Sequence, residues 1–147
     1  MIDIDESVYI DTPIDKVFEF TTDLNNNVRW QTDVSMAELT SEGPLGLGAT
    51  YRCVNRFLGQ RFETEGFISR YEPHRVCSFR FTSGGVKGES SFLFESVNGG
   101  TQFTTRAKLK LDRYKLAGIL LKYKAKQQVR TDLVKLKKLL ENGGSAG

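Results

Sequence analysis

Residues Glu89–Leu111 read ESSFLFESVNGGTQFTTRAKLKL, and this stretch decides the fold. Asn98-Gly99 is a strong two-residue hairpin signal, because a type I′ turn needs positive φ at both central positions. A turn centred there places Phe94 opposite Phe103, Phe92 opposite Thr105 and Ser90 opposite Ala107 on one face. The other face pairs Glu95 with Gln102, Leu93 with Thr104 and Glu89 with Lys108. Strand side chains alternate between faces, so this register sorts the hairpin into an apolar side and a polar side. The apolar side has to be covered.

Working outward, Ala49 to Leu111 reads as five strands. The breaks fall at Leu58-Gly59, Glu72-Pro73-His74, Ser83-Gly84-Gly85 with Lys87-Gly88, and Asn98-Gly99. A turn at Leu58-Gly59 sets Asn55 opposite Phe62, Cys53 opposite Thr64 and Tyr51 opposite Gly66 on the inner face. Its outer face sets Val54 against Glu63 and Arg52 against Glu65, an expected cross-strand ion pair. Leu58-Gly59 is a poorer turn former than Asn98-Gly99, and a bulge is compatible with it. In residues 75–82, Cys77, Phe79 and Phe81 share the apolar side.

At the start of the chain, Ile2, Ile4, Val8 and Ile10 alternate with Asp3, Asp5, Ser7 and Tyr9, the pattern of a half-buried strand. Thr12 is the expected N-cap of a following helix, with Pro13 at its first position. Asp23 to Trp30 reads as a break and a short second helix, and residues 34–41 as a weak strand. From Lys115 to about Leu140 the spacing becomes helical. Leu116, Ile119/Leu120, Tyr123, Val129, Leu133, Leu136 and Leu140 mark one face. The order is β-α-α-β-β-β-β-β-β-α, an α+β domain over residues 1–142. Residues 143–147 read as a flexible tail or cloning remnant.

Composition bounds the function. The chain has 147 residues, 39% hydrophobic and 11% aromatic, with ten Phe and one Trp. No run approaches the roughly 20 apolar residues of a membrane helix, and the acidic start does not resemble a signal peptide, so a cytoplasmic location is expected. Residues 1–42 hold ten acids and two bases, whereas residues 106–138 hold twelve bases and two acids. This split marks either a basic surface for a polyanion or two chain ends that neutralise each other.

Several motifs resemble a known family. Ile10-Asp11-Thr12-Pro13-Ile14-Asp15-Lys16-Val17-Phe18 is similar to the I-x-A-P-x-E-x-V-[WF] start of polyketide cyclase/dehydrase-like proteins. These proteins belong to the START-like helix-grip superfamily (SRPBCC). Asp23 and Trp30 resemble its D…W helix pair. Gly48-x-x-Tyr51, Tyr71-Glu72-Pro73-x-Arg75 and Gly100-Thr101-x-Phe103-Thr104 resemble its recurring turns. The likeness covers residues 2–141. It implies a seven-stranded curved antiparallel sheet around a long C-terminal helix, with a hydrophobic cavity between and the first and last strands adjacent. Adjacent end strands favour mutual neutralisation of the charge split and count against nucleic acid as a partner.

The expected ligand is a small hydrophobic molecule, a lipid, fatty acid or aromatic polyketide. Phe62, Phe79, Phe81, Phe92, Phe94 and Phe103 supply the apolar lining, with Leu116, Leu120 and Tyr123 from the long helix. Tyr51, Asn55, Thr64 and Thr105 offer hydrogen bonds, and Trp30 either gates the mouth or caps the core. In this register the inner face carries no Asp, Glu, Lys or Arg. The only histidine, His74, falls in a turn. Catalytic residues are therefore unassigned, because none of the inner groups has a pKa suited to proton transfer near neutrality. Cys53 and Cys77 lie two strands apart, about 9–10 Å, beyond disulfide reach, and are expected as free buried thiols. No metal site follows, and no cofactor, since Ser83-Gly84-Gly85 joins two strands and opens no phosphate-binding helix. Two other readings stand beside binding. One is an aromatase, cyclase or dehydratase using Asn55, Thr105 or Tyr123. The other is an interaction module presenting Lys115, Lys122, Lys126, Arg130 and Lys137 to RNA or an acidic protein.

Overall fold

A computed structural model describes residues 2–111 and 118–143. β1 (Ile2–Ile10) leads into α1 (Ile14–Thr22), a 3-10 turn (Leu24–Asn26) and α2 (Asn27–Trp30). β2 (Val34–Leu39), β3 (Thr50–Phe57), β4 (Gln60–Glu72), β5 (Val76–Ser83), β6 (Val86–Val97) and β7 (Gly100–Leu111) follow, and α3 (Gly118–Glu141) closes the chain. The strands form one antiparallel sheet in the order β1-β7-β6-β5-β4-β3-β2. This is the helix-grip arrangement, a seven-stranded curved sheet with a C-terminal helix.

The registers are those the turns dictate. Asn98 and Gly99 hold φ of 49° and 81°, and Phe94 pairs with Phe103, Phe92 with Thr105 and Ser90 with Ala107. The Leu58-Gly59 turn is equally regular, with φ of 52° and 79° and no bulge, so Asn55 meets Phe62 and Cys53 meets Thr64. Register shifts fall instead between Ile68 and Arg70 on β4 and between Val34 and Met36 on β2, and such bulges bend a strand and help curl the sheet.

Two local expectations change. Thr12 does not cap α1: Pro13 occupies that position with extended backbone, and the Thr12 carbonyl accepts from the Thr101 hydroxyl at 2.8 Å. Arg52 faces Glu65 in register, yet its guanidinium pairs with Glu63 at 3.1 Å and Glu38 at 3.5 Å. The diagonal neighbour and the β2 neighbour suit the length of the side chain better.

β1 lies beside β7, so part of the acidic start faces part of the basic end. Asp3 sits opposite Lys108, and Arg106 reaches Asp5 at 3.1 Å. The exposed Arg106–Asp5 pair contributes at most about 1 kcal/mol.

α3 divides into two halves. Leu133, Leu136 and Leu140 are buried in the core, whereas Leu120 and Tyr123 are 57% and 56% exposed. Lys115 and Leu116 lie outside the described residues. The middle of the helix is tied down by Asp132, whose carboxylate accepts from the Thr32 backbone N–H and hydroxyl (both 2.9 Å) and from Gln128 at 3.0 Å.

Candidate ligand-binding site

The inner face of the sheet also has two halves. One set of rings runs obliquely across the sheet, from Phe94 on β6 to Tyr51 on β3, and packs on itself. Phe94 lies 5.2 Å from Phe103, Phe92 5.4 Å from Phe103, Phe79 5.2 Å from Phe92 and Tyr51 5.6 Å from Phe79, all as tilted or edge contacts. Such geometry adds to the area term for each buried ring. Trp30 joins this stack at 5.6 Å from Phe92 and 6.1 Å from Phe103, only 2% exposed. It stands inside the core, away from the surface. His74, at positive φ in its turn, packs edge-on against Phe18.

Toward the end where β7 gives way to α3, the inner face opens. Phe57, Phe62, Phe81 and Leu109 are half-buried, and Ser90, Ala107 and Gly88 put little or no side chain inward. A Cβ at Gly88 would stand 2.5 Å from the Phe81 ring and 2.9 Å from Leu109, so glycine is what lets Phe81 lie flat across the strand. The first turns of α3 leave this half largely uncovered. Among Leu120–Gln128 no side chain is buried.

The polar groups of this half form two clusters. The Thr64 hydroxyl lies 2.9 Å from Asn55 Oδ1 and 2.8 Å from the Ser83 hydroxyl. Thr105 is buried opposite Glu6. Glu6 corrects the expectation of an inner face without charge, because its position in β1 shares the phase of Ile4 and Val8. Only 15% of its side chain is exposed, with Arg130 Nε at 3.1 Å and Lys126 Nζ at 4.0 Å. The period-two pattern contained that signal, since an acid at an inward position needs a partner.

Burial pushes the Cys77 thiol up to about 12. Burial also raises the Cys53 thiol, against a smaller opposing effect of its hydrogen bond with Thr64. The Tyr51 phenol is raised, first by burial and then by the nearby thiols. Both cysteines are free, but Cys53 is half-buried, not buried as expected. None of these groups is prepared to exchange protons at neutral pH.

The other expected site residues scatter. Tyr51, Thr64, Phe79, Phe92, Phe94, Phe103 and Thr105 are buried, and Asn55, Phe62 and Phe81 half-buried. Leu120 and Tyr123 project to the surface, where the Tyr123 hydroxyl accepts from Gln127 at 3.1 Å. On the basic helix, Lys126 and Arg130 are occupied by Glu6, while Lys137 holds Glu141 at 2.6 Å and the Tyr9 carbonyl at 2.7 Å.

Two surface grooves that the alternation pattern did not foretell lie on the outer face. One, of about 350 Å³, runs past Arg70, Ser78, Arg80, Glu89 and Arg106. The other, of about 650 Å³, passes Thr50, Arg52, Phe67 and Lys87 and also reaches Tyr51, Gly66, Phe81 and Gly88 of the inward phase. Their guanidinium groups are paired with carboxylates, Arg80 with Glu89 at 3.7 Å and Arg52 with Glu63.

Residues 1–141 match the family model for polyketide cyclase / dehydrase and lipid transport. The chain belongs to this family. Among curated proteins, no sequence matches it. Solved structures with the same fold include a START superfamily protein from Mycobacterium smegmatis, with TM-score 0.84, 11% identity, and coverage of 97% of this chain and 99% of that one. The Zhui aromatase/cyclase from Streptomyces sp. R1128 aligns with TM-score 0.78 and 17% identity, covering 99% and 97%. A protein from Thermus thermophilus aligns with TM-score 0.79 and 17% identity, covering 97% and 99%. Identities this low establish a shared fold. For this polyketide cyclase/dehydrase and lipid-transport family member, family and fold together support a ligand-binding or cyclase-type role. Among the described residues, no helix is long and apolar enough to cross a membrane.

Proposed function

We propose that this protein binds a small, largely apolar molecule, such as a lipid, fatty acid or aromatic polyketide, between the open half of the sheet and the first turns of α3. One observation carries the reading. Phe57, Phe62, Phe81 and Leu109 keep half-buried apolar surface at the end of the sheet where α3, from Leu120 on, buries no side chain before Leu133. A guest covering that surface gains about 25 cal/mol for each Å² of apolar area removed from water. Thr64, Asn55, Ser83 and Thr105 supply the few polar contacts that would orient it.

Native mass spectrometry and thermal melting against a lipid and polyketide panel test this. A retained guest at 100 times its Kd stabilises by about 2.7 kcal/mol. No bound species and an unmoved melt across the panel would sink the reading.

Glu6 favours a second reading, an aromatase, cyclase or dehydratase, because it puts an ionisable group on the inner face beside Thr105. To act as a base it would have to leave Arg130 and Lys126. A poly-β-ketone substrate converted by the native chain, but only bound by Glu6→Gln, supports it. Absence of product with the native chain removes it.

A further inference from the structure

The Leu58-Gly59 turn between β3 and β4, the Gly84-Gly85 turn between β5 and β6, and the end of β7 lie along one edge of the sheet. Two like-charge pairs stand in direct register on its outer face there: Arg56 faces Arg61, and Lys87 faces Lys110. All four residues are exposed. Like charges directly opposite one another destabilise a sheet. Lysines often shield the outermost strands from aggregation, but β3, β4, β6 and β7 are all interior strands. An anionic partner outside the chain would relieve both repulsions.

α3 reaches the same edge. It runs beside β1 in the same direction, with Arg130 on Glu6, Lys137 on Tyr9 and Glu141 on Asp11. From Arg130 back to Leu120 the helix spans about 15 Å, and from Glu6 back to Ile2 the strand spans about 13 Å. Leu120 therefore stands level with Ile2, which pairs with Leu109 near the end of β7. Leu120 and Tyr123 are exposed and interleaved with Lys122 and Lys124, also exposed. Leu58 repeats the pattern, exposed at its hairpin tip between Arg56 and Arg61. The acids of this edge are Asp3, which faces Lys108, Glu63, which holds Arg52 and Arg61, and Asp33. Among the described residues, Arg56, Lys87, Lys110, Lys122 and Lys124 have no ion pair. The opposite edge differs, since Glu72 there holds Arg75 at 3.3 Å and Glu141 holds Lys137.

We propose that this edge docks on an anionic lipid bilayer, with Leu58, Leu120 and Tyr123 entering the headgroup region and the basic residues around them lying on its surface. A nucleic acid would be served by the charges alone. Exposed apolar and aromatic side chains set among those charges are what a bilayer surface uses in addition. The docking does not depend on the ligand site, although the open half of the inner face ends at the same edge.

Sedimentation of the full chain with phosphatidylcholine vesicles, with and without about 30% phosphatidylglycerol, tests this in the absence of any guest. The chain should sediment with the anionic vesicles alone and leave them as salt rises from about 0.1 to about 0.5 M. Each basic residue near such a surface is worth about fivefold in partition, so the double variant Arg56→Gln, Lys87→Gln should bind about 25-fold less. The same variant should melt at or above the native temperature, because it relieves both repulsive pairs. Leu58→Asn suits the turn and should still weaken vesicle binding about threefold or more. Anionic vesicles bound no better than neutral ones, or a double variant bound as tightly as the native chain, overturn the proposal. Vesicle binding untouched by Leu58→Asn, together with equal affinity for duplex RNA, marks a general polyanion surface and overturns it too. The lipid and salt dependence is read on the native protein, so the result survives a variant that folds poorly.

Discussion

Asp132 is the residue whose environment makes the sharpest stability forecast. Burial raises its carboxyl, with the Thr32 and Gln128 hydrogen bonds opposing and Asp33 adding slightly. A carboxyl with a raised folded pKa is more easily protonated folded than unfolded. Its favourable contribution is therefore complete below the unfolded value and is lost as pH rises through the raised one. Asp132→Asn keeps an acceptor for Thr32 and removes the half-buried charge, so the variant should melt above the native chain at pH 7. That gap should close as pH falls below the carboxylate range. A gap that does not vary with pH contradicts this account. Ala107 makes a second forecast. It points inward beside Ser90 and is half-buried, so Ala107→Phe should weaken guest binding tenfold or more with little change in melting temperature. An equal loss of both would mean the position is core and not site.

At the scale of elements, the Leu58-Gly59 hairpin and α3 are the informative ones. Leu58 holds a left-handed backbone and is 53% exposed, so it bears the steric cost without burying its side chain. Leu58→Asn should stabilise by up to about 1 kcal/mol, seen as a rise of a few degrees in the melt. A fall would mean that Leu58 touches something the hairpin needs. In α3, Leu133→Ala should cost about 2–5 kcal/mol by opening a core cavity. Leu120→Ala, at an exposed position, should cost under about 0.5 kcal/mol. Periodicity alone puts Leu120, Tyr123 and Leu133 on one equivalent face. It identifies which side of a helix is apolar, but not how far along its length another surface is present to cover it.

For the whole molecule, hydrogen exchange reads the division of the interior directly. Amides of residues 129–140, over the packed core, should be strongly protected. Those of residues 120–128 should exchange faster in the free chain and slow when a guest binds. Uniform protection in the free chain would place the first turns of α3 in the core. The charge arrangement belongs to this scale too. Asp5 with Arg106, and Glu6 with Lys126 and Arg130, join the acidic beginning to the basic end.

The strand registers, the two faces of each hairpin and the order of elements were legible in the residues themselves. Period-two alternation and positive-φ turns are local properties, carried by Asn98-Gly99 and by the runs around Phe92 and Phe103. Even the inward phase of Glu6 was there to be read. Only the folded chain decided that Phe79, Phe92, Phe94 and Phe103 pack on each other and on Trp30, while Phe62, Phe81 and Leu109 stay partly open. Which inward side chains meet depends on the curl of the sheet and on the line α3 takes across it. Those come from contacts between residues up to a hundred positions apart, such as Thr32 with Asp132, and no local pattern encodes them.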